Sequence, residues 1–280
     1  MFWQRFAARC LLDDIEQGEM MWEKELQTAK EAAVKAGEVI LEIYRHMDNI
    51  EVEYKADSSP LTQADQAANG IIVSLLRERF PQYAILSEEE KDNKDRLNQD
   101  YCFIVDPLDG TKEFLKRNGQ FTVNIALAYQ HRAVVGVIYV PVSGELYFAA
   151  EGFGAFRKTE AGKKEKLAVS DRREISSLWF VMSNSHGCQE MDDLIKKYKI
   201  SRFVKVGSSL KGCMVASGQA DVYYRFNPTM EWDTAAMQCI AEEAGAVFRQ
   251  MDGSLMVYNR EDSRNSKGFY LINREENLLF

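Results

Sequence analysis

Long apolar runs are missing from this chain. No stretch approaches the roughly 20 consecutive apolar residues of a membrane-spanning helix, so no such span is expected. Paired cysteines are missing too. The five Cys show no C-x-x-C spacing, which argues against a disulfide framework or a zinc site and fits a reducing, cytoplasmic setting. Cys102 and Cys239 sit inside apolar patterns and read as core residues. Nor is positive charge in excess: the formal net charge is -8 and the pI about 5.2. That leaves no electrostatic footprint for nucleic acid or an anionic membrane. An anionic substrate would need a local basic pocket or bridging cations. Residues 1–20 lack an apolar h-region and a small-residue cleavage site, so no secretory signal is expected. They read as a frayed extension or as sequence ahead of a start near Met20 or Met21, with a short amphipathic surface anchor as a third alternative. No internal repeat of fixed period is visible.

What is present is a globular composition, 46% hydrophobic and 28% charged over 280 residues, enough for one large domain or two moderate ones. Leu26, Ala29, Ala33, Ala36, Ile40 and Ile43 recur at three- and four-residue steps and predict an amphipathic helix over residues 21–47. A polar, partly extended loop over 51–60 follows, in which Pro60 keeps its neighbour out of the helical region. Thr62 then starts a second helix, with Asp65 three residues on in a capping-box-like pair. Its buried stripe is Ala68, Ile72, Leu75 and Phe80. Residues 84–87 make a short strand running into Glu88-Glu89-Glu90, and 91–100 reads as a charged surface loop. Apolar strands over 121–129 and 133–140 around a solvent-facing His131, and another over 145–150, predict an antiparallel sheet. The polar segment 158–166 reads as a mobile domain junction. Beyond it, strands near 179–182, 203–206 and 220–224 alternate with helices near 191–198, after Gly207, and over 232–244, where Gly245 stops the chain. The expected fold class is therefore α+β followed by α/β, with domains at 21–165 and 166–280.

The densest chemistry lies in residues 106–114, Asp-Pro-Leu-Asp-Gly-Thr-Lys-Glu-Phe. An apolar run over 101–105 delivers Asp106, Pro107 stiffens the backbone, Gly110 allows close approach to a ligand, and Thr111 adds a hydroxyl. Converging carboxylates suit a hard divalent cation such as Mg, which takes oxygen ligands and keeps positions for water and phosphate. Asp-Pro and Asp-Gly are also ordinary turn dipeptides, so the loop alone supports a metal site and a plain acidic turn equally. Two neighbouring strands that both end in carboxylates, at Glu88 and Asp106, point to a shared site. Asp65 is open between helix cap and metal-side carboxylate. Further on, Ser183-Asn184-Ser185-His186 follows a strand, Gly207-Ser208-Ser209 precedes a helix with Lys211 in its first turn, and Arg225 closes a strand. Together they make a basic, hydroxyl-rich rim suited to an anion. Asp233 stands at a helix N-terminus, where dipole compensation alone would account for it.

Five pieces now stand in order: Lys55-Ala56-Asp57 with Thr62 and Asp65; Ser87-Glu88-Glu89; residues 106–114; Gly207-Ser208-Ser209-Leu210-Lys211; and Trp232-Asp233-Thr234-Ala235-Ala236. The series resembles the lithium-sensitive, magnesium-dependent phosphatase superfamily of inositol monophosphatases, fructose 1,6-bisphosphatases and bisphosphate nucleotidases. Lys112-Glu113-Phe114 and the 207–211 segment look like the CysQ-type 3'(2'),5'-bisphosphate nucleotidase branch, whereas inositol monophosphatases usually read Thr-Asn-Phe. The likeness runs over residues 21–270 and finds no counterpart for residues 1–20.

The resemblance implies a layered α-β-α-β-α sugar-phosphatase fold. It implies metal ligation by Glu88, Asp106, Asp109, Asp233 and the Leu108 carbonyl, with Asp65 near a further, weaker metal, and hence two or three Mg ions. Glu88, Asp106 and Thr111 form the implied catalytic set, Thr111 orienting the attacking water. Implied substrate contacts are Glu88, Leu108, Asp109, Gly110, Thr111 and Asp233, with His186, Ser208, Lys211 and Arg225 contacting the nucleotide and its second phosphate. The implied activity is hydrolysis of the 3'-phosphate of adenosine 3',5'-bisphosphate to AMP and phosphate, beside sulfate assimilation, with the sulfated nucleotide an open second substrate. An inositol monophosphatase or related small sugar-phosphate phosphatase is the alternative. The partner expected is a small molecule and not nucleic acid. Weak peripheral attachment to the cytoplasmic face of the inner membrane and the oligomeric state stay open.

Overall fold

A computed structural model describes residues 21–46, 52–54, 60–92, 94–184 and 187–280. Helix α1 (Glu23–Arg45) buries Leu26, Ala29, Ala33, Ala36 and Ile40, the stripe that its periodicity predicts. A short antiparallel hairpin, β1 (Val52–Tyr54) and β2 (Pro60–Thr62), leads into α2 (Gln63–Arg79). The second helix thus opens at Gln63, because Thr62 is committed to the hairpin. Its stripe is corrected at one position: Leu76 is the fully buried residue, and Leu75 is only partly covered.

The first sheet has seven strands in sequence order: β3 (Ala84–Ser87), β4 (Tyr101–Asp109), β5 (Thr122–Tyr129), β6 (Arg132–Val140), β7 (Glu145–Ala150), β8 (Gly154–Lys158) and β9 (Lys164–Lys166). Strands β3 and β4 run parallel, with Ser87 beside Val105, and every later pair is antiparallel. The parallel pair is what brings two carboxylate-bearing strand ends to one edge.

Two segments read as loops are corrected. Residues 158–166 belong largely to the β8–β9 hairpin, where Arg157 pairs with Glu145 at 3.2 Å and Glu165 at 2.6 Å. Within 91–100, a short 3-10 turn (Asp95–Asn98) buries Arg96, which donates to Asp92 Oδ2 at 2.8 Å, Asn259 Oδ1 at 2.9 Å and Ser263 Oγ at 3.2 Å. Most of that partner set lies far off in sequence, so the segment looks solvated when read locally.

The second sheet has the order β11 (Phe203–Val206), β10 (Phe180–Ser183), β12 (Val222–Arg225), β16 (Phe269–Ile272), β14 (Val247–Gln250). Strands β10, β11 and β12 are parallel, while β16 is antiparallel to both neighbours. The C-terminal half is therefore a mixed sheet. Strands β14 and β16 have no counterpart in the sequence reading, being four-residue segments beyond the last clear helix. A two-residue pair, β13 (Thr229–Met230) with β15 (Arg264–Asn265), completes the pairing.

Helices α1 and α2 cover one face of the seven-stranded sheet. Helices α5 (Leu210–Ala216) and α6 (Glu231–Glu243) lie between the two sheets, and α4 (Gln189–Tyr198) packs on the far face of the second. The layers run α-β-α-β-α, as the sequence implies. Among the described residues, no helix is long and apolar enough to cross a membrane.

Helix α6 lies hard against β6. A Cβ on Gly136 would sit 2.5 Å from Ala236 O and 2.9 Å from Cys239 Cβ. Gly136→Ala should therefore push α6 off the sheet and cost about 1–3 kcal/mol in urea unfolding, the usual penalty for overpacking. Gly70→Ala, in α2 with nothing within 4 Å of the new carbon, should instead stabilise by about 0.5–1 kcal/mol. Equal effects at both sites would contradict the packing described.

Candidate active site

The site begins where the parallel pair ends. Glu88 N–H donates to Val105 O at 3.1 Å, which seats Glu88 next to Asp106. Asp106 is 1% exposed, and its Oδ1 accepts from Leu108 N at 3.1 Å. The β4–β5 register breaks between Asp106 and Asp109. Pro107 falls in that break, where a residue without an N–H removes no ladder bond. Gly110 follows at φ +94° and turns the chain into α3 (Thr111–Leu115). A Cβ there would stand 3.2 Å from Gln120 O and 3.3 Å from Ser208 Cβ, so glycine serves both the turn and the close approach. Thr111 Oγ1 donates to Leu108 O at 3.4 Å.

Asp233 arrives from the first turn of α6, where Met230 N–H donates to its Oδ2 at 2.6 Å. Ligand oxygens of Asp106, Asp109 and Asp233 lie within 4.8 Å of one another. Glu88 lines the same cavity, as do Leu108, Gly110 and Thr111. Burial first, then Glu88, Asp109, Asp233 and Asp65, hold the Asp106 carboxyl well above the ordinary range. Asp233 is pushed up to about 7, by burial and then by Asp109. Carboxylates held this close favour protonation or a bound cation, and an all-oxygen donor set fits a hard divalent ion. Asp65 is buried in the first turn of α2; it does not line the cavity, and it bears on the site through its charge on Asp106.

The same cavity, of roughly 280 Å³, is also lined by Ser208, Lys211 and Arg225. Ser208 has φ +46°, a conformation serine seldom adopts, and its buried Oγ has no hydrogen-bond partner. The buried Arg225 Nε is likewise unpartnered. The Ser208 side chain caps no helix, the N-cap position of α5 being Ser209. Lys211 is buried, donates to Ser208 O, and lies 5.6 Å from the Tyr223 ring centre. Burial, aided by Arg225, lowers its pKa to about 8 against the opposing pull of Asp109, Asp233 and Glu113. His186, like Lys55 and Asp57, falls outside the described residues.

A carboxylate cluster and a set of cationic and hydroxyl groups lining one cavity have parallels among known proteins. The profile of the inositol monophosphatase family matches residues 21–276. The chain belongs to the inositol monophosphatase family. It is similar to a 3'(2'),5'-bisphosphate nucleotidase CysQ from Salmonella typhimurium, 41% identical over 87% of this chain and 98% of the relative. The Escherichia coli K12 protein of the same name is also 41% identical, over 85% of this chain and 95% of its own. Among solved structures, CysQ from Bacteroides thetaiotaomicron superposes with a TM-score of 0.79 at 43% identity, covering 91% of this chain and 99% of that one.

Within this family frame, several residues escaped the sequence reading. Asn124 Nδ2 donates to Ser209 Oγ at 2.9 Å and to Asp109 Oδ2 at 3.3 Å, and Ser209 Oγ donates to Asp109 Oδ2 at 2.8 Å. Gln120 Oε1 accepts from Gly207 N at 2.9 Å and Asn184 Nδ2 at 2.5 Å. The available signal was a polar Thr122 and Asn124 at alternate positions of an otherwise apolar strand. Among the described residues no cysteine lines the cavity: Cys102, Cys213 and Cys239 are buried in the core, where burial raises each thiol above its usual range, and Cys188 lies elsewhere.

A carboxyl whose pKa is raised on folding supports the folded state while protonated, and that support is lost as pH rises through the folded value. For Asp233 the window runs from its unfolded value, about 4, up to about 7. In chelator, Asp233→Asn should therefore gain stability relative to the parent as pH goes from 5 to 8, read from urea unfolding at each pH. A pH-independent difference would mean the carboxylate is not desolvated as described.

Proposed function

We propose that this chain is a magnesium-dependent phosphomonoesterase that hydrolyses the 3'-phosphate of adenosine 3',5'-bisphosphate, giving AMP and phosphate. The supporting observation is the division of one cavity: a three-carboxylate cluster on one wall, and on the other two buried, unpartnered donors beside a buried lysine. A substrate with a single phosphate would engage the first wall and leave Ser208 Oγ and Arg225 Nε orphaned, at a cost of about 1–3 kcal/mol per group. A second phosphate satisfies both. The names of the similar nucleotidases point the same way.

Glu88, Asp106, Asp109, Asp233 and the Leu108 carbonyl would hold the metal, with two or three Mg ions in all and Asp65 supporting the weaker one. Magnesium held there supplies the charge that activates water and offsets charge on the leaving oxygen. The chain's own part is to bind, orient and select. Thr111 orients water; Glu88, Asp109, Gly110 and Asp233 frame the reacting phosphate. Ser208, Lys211, Arg225 and His186 take the rest of the nucleotide, guanidinium and ammonium pairing with phosphate oxygens. The sulfated nucleotide fits the same division and is a second candidate substrate.

Purified protein should release phosphate from adenosine bisphosphate far faster than from inositol 1-phosphate, and only with Mg. The reverse preference would assign the chain to the sugar-phosphate phosphatases, and turnover that survives chelator would end the metal assignment. Lithium at sub-millimolar to millimolar concentration should inhibit. Arg225→Ala and Lys211→Ala should each raise KM for the bisphosphate about tenfold or more while changing that for adenosine 3'-monophosphate much less; equal losses on both would show that these residues do not read the second phosphate.

A further inference from the structure

We propose that Ser209 and Asn124 are positioning residues, a one-directional hydrogen-bond chain that holds Asp109 for a divalent cation and ties it to the loop carrying Ser208 and Lys211. The inference rests on the metal-dependent reading above. Each donor and acceptor in the chain is set by its neighbour. Thr122 Oγ1 donates to Asn124 Oδ1 at 2.9 Å, which fixes the amide so that its NH₂ faces Ser209 Oγ, again at 2.9 Å, and Asp109 Oδ2 at 3.3 Å. Ser209 has one proton. With Asn124 donating to its oxygen, that proton goes to the strongest acceptor in reach, Asp109 Oδ2 at 2.8 Å, while the Asp233 carbonyl lies farther off at 3.3 Å. Two donors thus converge on one carboxylate oxygen.

Thr122, Asn124 and Ser209 are buried, so the bonds among them are sheltered from water, while the acceptor, Asp109, is half-buried at the cavity wall. The sheet supplies the register, pairing Asp106 with Asn124 and Asp109 with Thr122 across β4 and β5. Ser209 comes from the other side, next in sequence to Ser208 and two residues before Lys211. One side chain therefore bridges the carboxylate wall and the cationic wall. Partners that orient metal ligands in this way typically change metal affinity or activity by about 10–100-fold when removed.

The test is calorimetric titration of Mn into metal-stripped protein without substrate, for the parent, Ser209→Ala, Asn124→Ala and the double variant, with melting temperatures in chelator recorded beside each. Each single variant should weaken Mn binding by about 10–100-fold. The double variant should lose less than the two single losses combined, because both changes remove the one bond between Asn124 and Ser209. Ser209→Ala should lower kcat equally on the bisphosphate and on adenosine 3'-monophosphate, unlike loss of the Lys211 charge. A parent that binds no Mn would overturn the metal reading and this inference with it. A parent that binds Mn, with both single variants unchanged or with losses that add in full, would overturn the positioning role alone. If Ser209→Ala does not fold in chelator, Thr122→Val tests the chain from its far end: severalfold weaker Mn binding supports it, and unchanged binding overturns it.

Discussion

Three carboxylates crowded into a buried pocket repel one another, and much of the structure serves to keep them there. Asp106 and Asp109 are held in place because both are paired to β5, Asp106 with Asn124 and Asp109 with Thr122. Asp233 cannot retreat, because Met230 N–H grips its Oδ2 and α6 is wedged between the two sheets. Burial first, and then this repulsion, raise the carboxyl pKa values, Asp233 reaching about 7. A cation that binds the folded chain alone turns this unfavourable term into binding energy, so the site is destabilising when empty by virtue of the feature that makes it bind.

The same arrangement reconciles an acidic protein with a polyanionic substrate. Net charge sets only the long-range field, whereas Ser208, Lys211 and Arg225 act within one cavity. Burial makes each of them costly unless an anion arrives: Lys211 is desolvated toward neutrality, and Arg225 Nε and Ser208 Oγ are left without partners. The carboxylates are thus prepared for positive charge, and Ser208, Lys211 and Arg225 for negative charge, within one cavity.

Sequence showed the outline of this well and its reinforcement poorly. Helix α1 and the strand β3 were legible because their periodicity is local, and Asp106, Asp109 and Asp233 because a short motif and its spacing carry them. Arg96 was not, since the Asn259 and Ser263 that bury it lie on another layer. Ser209 was visible only as a helix-capping type, and its bond to Asp109 depends on two chain halves meeting. Strands β14 and β16 escaped because segments this short are defined by their sheet neighbours more than by their own residues.

Those unread residues explain how α6 is aimed. Glu231, two residues before Asp233, is fully buried and accepts N–H bonds from Asn259 at 2.6 Å and Arg260 at 3.0 Å, while its own N–H meets Ser263 O at 2.9 Å. Asn259 is in turn fixed by Arg96, whose guanidinium donates to its Oδ1 and whose carbonyl accepts from its Nδ2, both at 2.9 Å. The charged segment after β3 therefore reaches Asp233 through Asn259 and Glu231, and the strand that places Glu88 runs straight into it. Glu88 and Asp233 stand 145 residues apart in sequence, yet the start of α6 is braced by the connection that follows Glu88. The start of α6, and Asp233 with it, is held from outside the cavity by a carboxylate that does not line it.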